Sequence, residues 1–406
     1  MRLAYLYSRY PVLSQTFCDT EMLELERRGF ELLVASVYPP KTPVRHEYLA
    51  RLQAAVHYAP EKATLESLVR RAKSEHRWPA ALIAQQERKY GAEYKAALRA
   101  RNALFFVDLF ERHDIRHFHV HFANRAAHTA LFVKAISGIP FSVTAHGQDF
   151  MIDLGNEELL SEICATAEFV AAETNYSRDL LAARCPAAAG KIFRVYNGID
   201  LKKFARAIEV VKPSGPIRLL SVGRLVEFKG FDVLIDACAN LRRDGVDFAC
   251  EIIGDGPLRE ELQERVAEQN LTTTVLFSRE RSQDYVLSAL AECDIFVLAA
   301  LTDTRGASDV FPTVIAEAMA SGKPVVSTTV AGIPELVAPN KTGLLVPPRD
   351  AHALTGAIKE LIRNNALRTS LGRAGLSRIE KHFTIENTIE PLLQRFPTGN
   401  TAGVAS

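Results

Sequence analysis

The chain has 406 residues, 48% of them hydrophobic, which is enough to bury more than one core, and its length predicts two domains. With 49 basic residues against 48 acidic, the formal net charge is +1, which excludes the global field that draws proteins to nucleic acid and leaves any charged partner to be met locally. The six cysteines (Cys18, Cys164, Cys185, Cys238, Cys250, Cys293) are scattered without a C-x-x-C pair, the pattern of reduced core thiols rather than of disulfides or a zinc site.

The opening MRLAYLY alternates like a strand (3 to 7) and lacks the basic-then-apolar order of a signal peptide, so a cytoplasmic location is expected. ELLVASV (31 to 37) reads as the next strand. Residues 55–112 then interrupt the series as a helical insertion, with ten Lys/Arg against five Asp/Glu between Glu61 and Arg101. A basic amphipathic helix can lie on an anionic bilayer, which would give a peripheral contact through 61–101 at the inner face of the membrane; a solvated helical face is the plainer reading.

Strands resume at 117–122, 141–145, 169–174 and 192–196, and a second series follows at 217–223, 248–254, 273–277, 294–300, 324–328 and 342–347. Helical stretches separate them, the alternation that builds α/β proteins with parallel sheets. Between the series, NGIDLKKFARAIEVVKPSGP has no sustained period. The expected organisation is a domain over 1–197, a linker over 198–216, a domain over 217–382, and a segment over 383–406 that returns as a helix to the first domain before a disordered tail. The longest apolar run, at 293–301, is far short of the roughly 20 residues of a spanning helix.

The second half carries the chemistry. Strand IRLLSVG runs into GRLVEFKG and a helix, so Arg224 and Lys229 flank a glycine turn at a helix N-terminus, a pattern that suits a diphosphate, with Gly223 and Gly230 letting the backbone approach. After strand DIFVLAA, Pro312 suits the first turn of a helix over Thr313 to Ala320; Glu317 leans back toward the strand's carboxyl edge, and Asp309 precedes the helix. Two carboxylates beside a cationic site suit the hydroxyls of a sugar nucleotide, although each is singly explained as a cap or dipole partner. His117, His119 and His121 share one strand face and could be read as metal ligands; their spacing is not that of a zinc site, and no D-x-D occurs, so no metal is expected.

VGRLVEFKG, IIGDGPLRE, the Asp309-x7-Glu317 pair, VAGIPELV and KTGLLVPPRD resemble, in order and spacing, the C-terminal domain of glycosyltransferase family 4. SRYPVLSQTF, HVHFANRAAHTA, FSVTAHGQDF and VYNGID resemble its branch that builds bacterial exopolysaccharides, the colanic-acid-type transferases. The resemblance implies the GT-B fold, two Rossmann-like domains facing across a cleft, and a retaining hexosyltransferase that takes a sugar from a nucleotide-sugar donor to a saccharide or lipid-linked acceptor. It assigns Arg224 and Lys229 to the diphosphate, Glu317 to the ribose, Asp309 to the donor sugar, and Gly254, Asp255, Gly256 and Pro257 to the nucleobase loop. Gly223, Phe311, Pro312 and Thr313 complete the donor side, and His146 reaches toward the donor. Ser14, Gln15, Thr16, His121, Asn124 and Asp149 are the acceptor-side candidates.

Two departures stand out. Asp309-Val310 replaces the family's usual Glu-Gly, and Leu13-Ser14-Gln15-Thr16 stands where a glycine-rich turn is frequent. A GT-B sugar-nucleotide epimerase and a non-catalytic nucleotide-sugar-binding protein are the alternatives; a dinucleotide oxidoreductase is disfavoured because no G-x-G-x-x-G follows a strand.

Overall fold

The computed structural model describes residues 2–41, 46–153, 155–204 and 215–397. It divides into two compact units. The first takes in Met1–Glu173, Ser177–Val195 and the chain from Ile389 on; the second takes in Thr174–Tyr176 and Tyr196–Thr388. Much of the expected linker, at 205–214, and the tail at 398–406 lie outside the described residues.

The first unit is built on a seven-stranded parallel sheet of β1 (Arg2–Arg9), β2 (Glu31–Tyr38), β3 (Val56–Tyr58), β4 (Phe118–His121), β5 (Phe141–Ala145), β6 (Val170–Ala172) and β7 (Ile192–Arg194), in the order β3-β2-β1-β4-β5-β6-β7. Its helices are α1 (Thr16–Arg27), α2 (Lys62–Ser74), α3 (Ala80–Tyr90), α4 (Ala96–Arg112), α5 (Arg125–Ser137), α6 (Glu157–Thr166) and α7 (Asn175–Arg184), the last opening in the short excursion that belongs to the second unit. Leu3 to Tyr7 are fully buried, as a central parallel strand covered on both faces requires. Each of the buried leucines, Leu3 and Leu6, contributes about 1.5–3 kcal/mol of apolar transfer.

The insertion is helical from Lys62, but its first residues form the edge strand β3, paired parallel with β2 from Val34↔Val56 to Ser36↔Tyr58. Three residues are too short for alternation to show in the sequence. Several of its cations are paired: Arg71 with Asp108, Arg77 with Glu111 at 3.0 Å, and Lys89 with Glu162 at 3.5 Å. No described helix is long and apolar enough to cross a membrane.

The second unit holds a six-stranded parallel sheet of β8 (Ile217–Val222), β9 (Phe248–Ile253), β10 (Val275–Ser278), β11 (Ile295–Val297), β12 (Val325–Thr328) and β13 (Leu344–Val346), ordered β10-β9-β8-β11-β12-β13. Helices α8 (Phe231–Arg243), α9 (Arg259–Glu268), α10 (Gln283–Glu292), α11 (Thr313–Ala320), α12 (Ile333–Leu336), α13 (Ala351–Arg363) and α14 (Asn365–His382) accompany it. In α8, Phe231, Leu234, Ile235, Cys238 and Leu241 recur at helical spacing and are all buried.

The chain rejoins the first unit at Ile389. There Phe396 packs edge-on against Phe30 and His119, with ring centroids 6.2 and 5.6 Å apart, and Arg395 stacks 3.6 Å from the centroid of the Phe193 ring. All six cysteines are free and buried.

Candidate functional site

In each sheet the strand order reverses once, between β1 and β4 and between β8 and β11. Ligands of open parallel sheets sit at the carboxyl edge of such a switch point.

In the second unit the loops after β8 and β11 meet at that edge. Lys229 and Asp309 form an ion pair that joins the two loops, both about six-sevenths buried. The Lys229 stem lies over Gly223, where a Cβ would come within 3.3 Å of its Cδ. Gly230 has φ +65° and a Cβ there would stand 1.9 Å from the Ala299 carbonyl oxygen, so only glycine fits. It precedes α8, whose N-terminus has no side-chain cap and is left open to an anion. Arg224 is exposed, and its side chain has no hydrogen bond or ion pair among the described residues.

The loop after β9 is locked to this turn. Gly223 N donates to Ile253 O (3.0 Å) and Leu225 N to Asp255 O (2.9 Å), while a Cβ on Gly254 would meet Gly223 O at 2.0 Å and one on Gly256 would meet Leu225 O at 2.5 Å. Asp255 accepts from Arg259 Nε (3.0 Å) and Gly256 N (2.9 Å), which hold its carboxyl below the usual range; Pro257 beside it is exposed. Glu227, missed in the sequence, accepts from Thr304 N, Thr304 Oγ1 and Arg349, tying three loops together.

Glu317 lies on α11 at 7% exposure. Burial pushes its carboxyl up to about 7, against the opposing pull of Lys203 and a hydrogen bond with Gln283. Thr313 opens α11, and Pro312 stands one residue before the helix rather than in its first turn. Phe311, expected on the donor side, has its ring in the core, 5.7 Å from the Tyr196 ring and 5.9 Å from that of Phe383.

The first unit carries a buried chain of polar groups behind its own switch point. The Tyr5 hydroxyl donates to Glu21 Oε1 at 2.6 Å, His121 Nε2 reaches the same oxygen at 3.0 Å, His121 Nδ1 is 3.1 Å from His146 Nε2, and His146 Nδ1 is 3.0 Å from Glu173 Oε1. If each outer nitrogen donates to its carboxylate, the two inner nitrogens face each other with no hydrogen between them. A third proton is therefore required, making one imidazole cationic. Burial alone would depress His146, but Glu173, with Asp149 and Glu21 behind it, lifts it above its usual range. Burial likewise opposes the charge on Glu21, yet His121 and Tyr5 hold it below its usual value.

Glu21, His119 and His121 also place ligand atoms within 4.8 Å of one another. Both ring nitrogens of His119 are engaged, by Ser142 Oγ (2.8 Å) and Thr144 Oγ1 (2.9 Å), and both of His121 by Glu21 and His146. A metal would have to displace these bonds.

Of the acceptor-side candidates, Ser14 is exposed, Gln15 caps α1 without a side-chain bond and has a buried, unpartnered Oε1, and Thr16 opens the helix. Asn124 caps α5 by accepting from Ala126 N. Asp149 is 2% exposed and accepts from His146 N, Ala123 N and Asn124 Nδ2, so it braces the loops after β4 and β5 and has no bare oxygen for an acceptor.

Comparison with known proteins gives two family models that divide the chain: "Glycosyltransferase Family 4" matches residues 15–203 and "Glycosyl transferases group 1" residues 204–378. The amylovoran biosynthesis glycosyltransferase AmsK of Erwinia amylovora is 29% identical over 404 residues, covering 94% of this chain and 96% of that protein. The putative colanic acid biosynthesis glycosyltransferase WcaL of Escherichia coli is 29% identical over 380 residues, covering 87% and 89%. Among solved structures, Anabaena Alr3699/HepE in complex with UDP shares the fold with a TM-score of 0.70 at 17% identity, covering 97% and 99% of the two chains.

Proposed function

The chain is a glycosyltransferase of GT-B fold built from a Family 4 module and a group 1 module, and from that premise we propose that it transfers a hexose-type sugar from a nucleotide-sugar donor to a saccharide or lipid-linked acceptor during exopolysaccharide synthesis, with retention of configuration and without a metal. The biosynthetic assignment draws on the likeness to AmsK and WcaL. The observation that carries the donor site is the Lys229–Asp309 pair beside the partnerless Arg224 and the open N-terminus of α8, at the switch point of the second sheet.

In the proposed reaction the bond from the sugar's anomeric carbon to the leaving phosphate breaks, a bond to the acceptor oxygen forms on the same face, and the acceptor proton passes to the phosphate. Negative charge grows on the leaving group, and Arg224, Lys229 and the first amides of α8 stabilise it, the part that a metal plays elsewhere. A diphosphate competes with Asp309 for Lys229, releasing the carboxylate to accept hydrogen bonds from the sugar. No protein nucleophile is assigned, and His146 orients substrate.

A panel of nucleotide sugars tests this by thermal shift and by release of nucleoside diphosphate, with and without a chelator. Donor-specific stabilisation and chelator-resistant turnover giving a product of unchanged anomeric configuration support the reading. Stabilisation by a donor with no turnover, even with a saccharide acceptor supplied, would favour a binding protein instead.

A further inference from the structure

A second concentration of unpaired positive charge sits in the first unit. On α4, Ala96, Ala100 and Ala103 are at most 1% exposed, and Arg99 falls on the same stripe, three residues after Ala96 and four before Ala103. Its side chain follows the stripe inward: Arg99 is 6% exposed, and its Nε is buried with no hydrogen-bond partner. Tyr38, the last residue of β2, is within hydrogen-bonding reach of the guanidinium, and the like charge of Arg125 acts on it. No carboxylate among the described residues neutralises it. Burial, with Arg125 adding to it, holds the Arg99 pKa below the usual value. A guanidinium withdrawn from water without a counter-ion is strongly disfavoured.

The surroundings are those of a ligand edge. Arg125 is exposed, opens α5 directly after β4, and has no side-chain partner among the described residues. Arg9 closes β1 with its guanidinium 5.2 Å from the centroid of the Tyr38 ring. β1 and β4 are the strands between which the order of this sheet reverses. Arg9 and Arg99 thus meet at Tyr38 beside the switch point, Arg125 acts on Arg99 from the head of α5, and the N-terminal dipole of that 13-residue helix adds to their field.

We propose that this edge binds a phosphate or diphosphate ester, with Arg99 as the buried anchor and Arg125 as the exposed clamp, and that the ester belongs to the acceptor. The attribution to an acceptor rests on the transferase reading above; the anion site itself does not. A planar guanidinium pairs two of its N–H groups with two phosphate oxygens, and a buried one does so without competition from water.

The test uses the full chain carrying Arg224→Ala/Lys229→Ala, which removes the donor-side cations, titrated calorimetrically with inorganic pyrophosphate, glucose 1-phosphate and geranyl diphosphate. At least one of these binds, and adding Arg125→Ala or Arg99→Met weakens binding at least about tenfold, the loss of one charge-assisted hydrogen bond. Preference for geranyl diphosphate assigns a lipid diphosphate, and preference for glucose 1-phosphate a soluble sugar phosphate. Arg99→Met also raises the melting temperature of the ligand-free chain, whereas a guanidinium that serves the fold would lower it. Absence of binding in the donor-silent chain, or binding indifferent to both arginines, overturns the anion site. Neither result touches the transferase reading, which falls only if the wild-type chain turns over no donor.

Discussion

Replacing Glu317 with glutamine should stabilise the ligand-free protein at pH 8 and leave it nearly unchanged at pH 4. The carboxyl is buried on α11 and its pKa stands at about 7 against an ordinary value of 4.5. The folded state therefore holds this proton more tightly than the unfolded chain does. The stability linked to it is complete below about pH 4.5 and is lost as the pH rises through about 7. A difference of some 2.5 units corresponds to roughly 3 kcal/mol, or a shift of about 6–12 °C for a domain of this size. Glutamine keeps the shape and can still bond Gln283, but it has no charge to desolvate. The assay is thermal unfolding of wild type and Glu317→Gln at half-unit steps from pH 4 to pH 8. The two curves should separate only above about pH 5, with the variant higher. Parallel curves, or a variant less stable at pH 8, would refute the burial argument. Because the ribose reading requires a hydrogen-bond-accepting carboxylate, wild-type donor affinity should also fall as the pH drops below about 7.

Glu173→Gln should lower the His146 pKa. The stability linked to the imidazolium is present below its unfolded pKa and lost as pH rises through the folded value, so in the variant the loss is smaller and is complete at a lower pH, as unfolding curves between pH 5 and 8 would reveal. Gly230→Ala should cost at least about 2 kcal/mol, from a positive φ plus the collision with Ala299 O, and should weaken donor binding more than a distant destabilising change of equal size. Asp309→Asn should release Lys229, raising affinity for a free nucleoside diphosphate while lowering turnover of the nucleotide sugar; titration calorimetry and a hydrolysis assay separate the two effects.

The β8–β13 series and the Arg224–Lys229 turn were legible in the sequence because each strand is a short, mostly apolar run, and β8 and β9 pass directly into Gly223 and Gly254. What was not legible is mostly polar residues on apolar stripes. Glu21 falls on the buried face of α1 with Cys18, Met22 and Leu25, and Arg99 on that of α4, yet read singly each looks like a solvent-facing helix charge. A charge at i+3 or i+4 from buried apolar neighbours is the signal that would have found both. The contact between Lys229 and Asp309 crosses 80 residues and depends on β8 and β11 being neighbours, which no local pattern encodes. The packing of the Phe311 ring on Tyr196 and Phe383 was hidden because neither partner lies in the motif that contains Phe311.

The most direct test of the central claim is calorimetric binding of nucleoside diphosphates to the wild-type chain and to Arg224→Ala/Lys229→Ala. Binding of one nucleoside diphosphate that the double variant weakens about a hundredfold or more is the predicted result, the loss of two charge-assisted contacts. Equal affinity in both proteins would place the nucleotide elsewhere and contradict the assignment of this loop pair as the donor site.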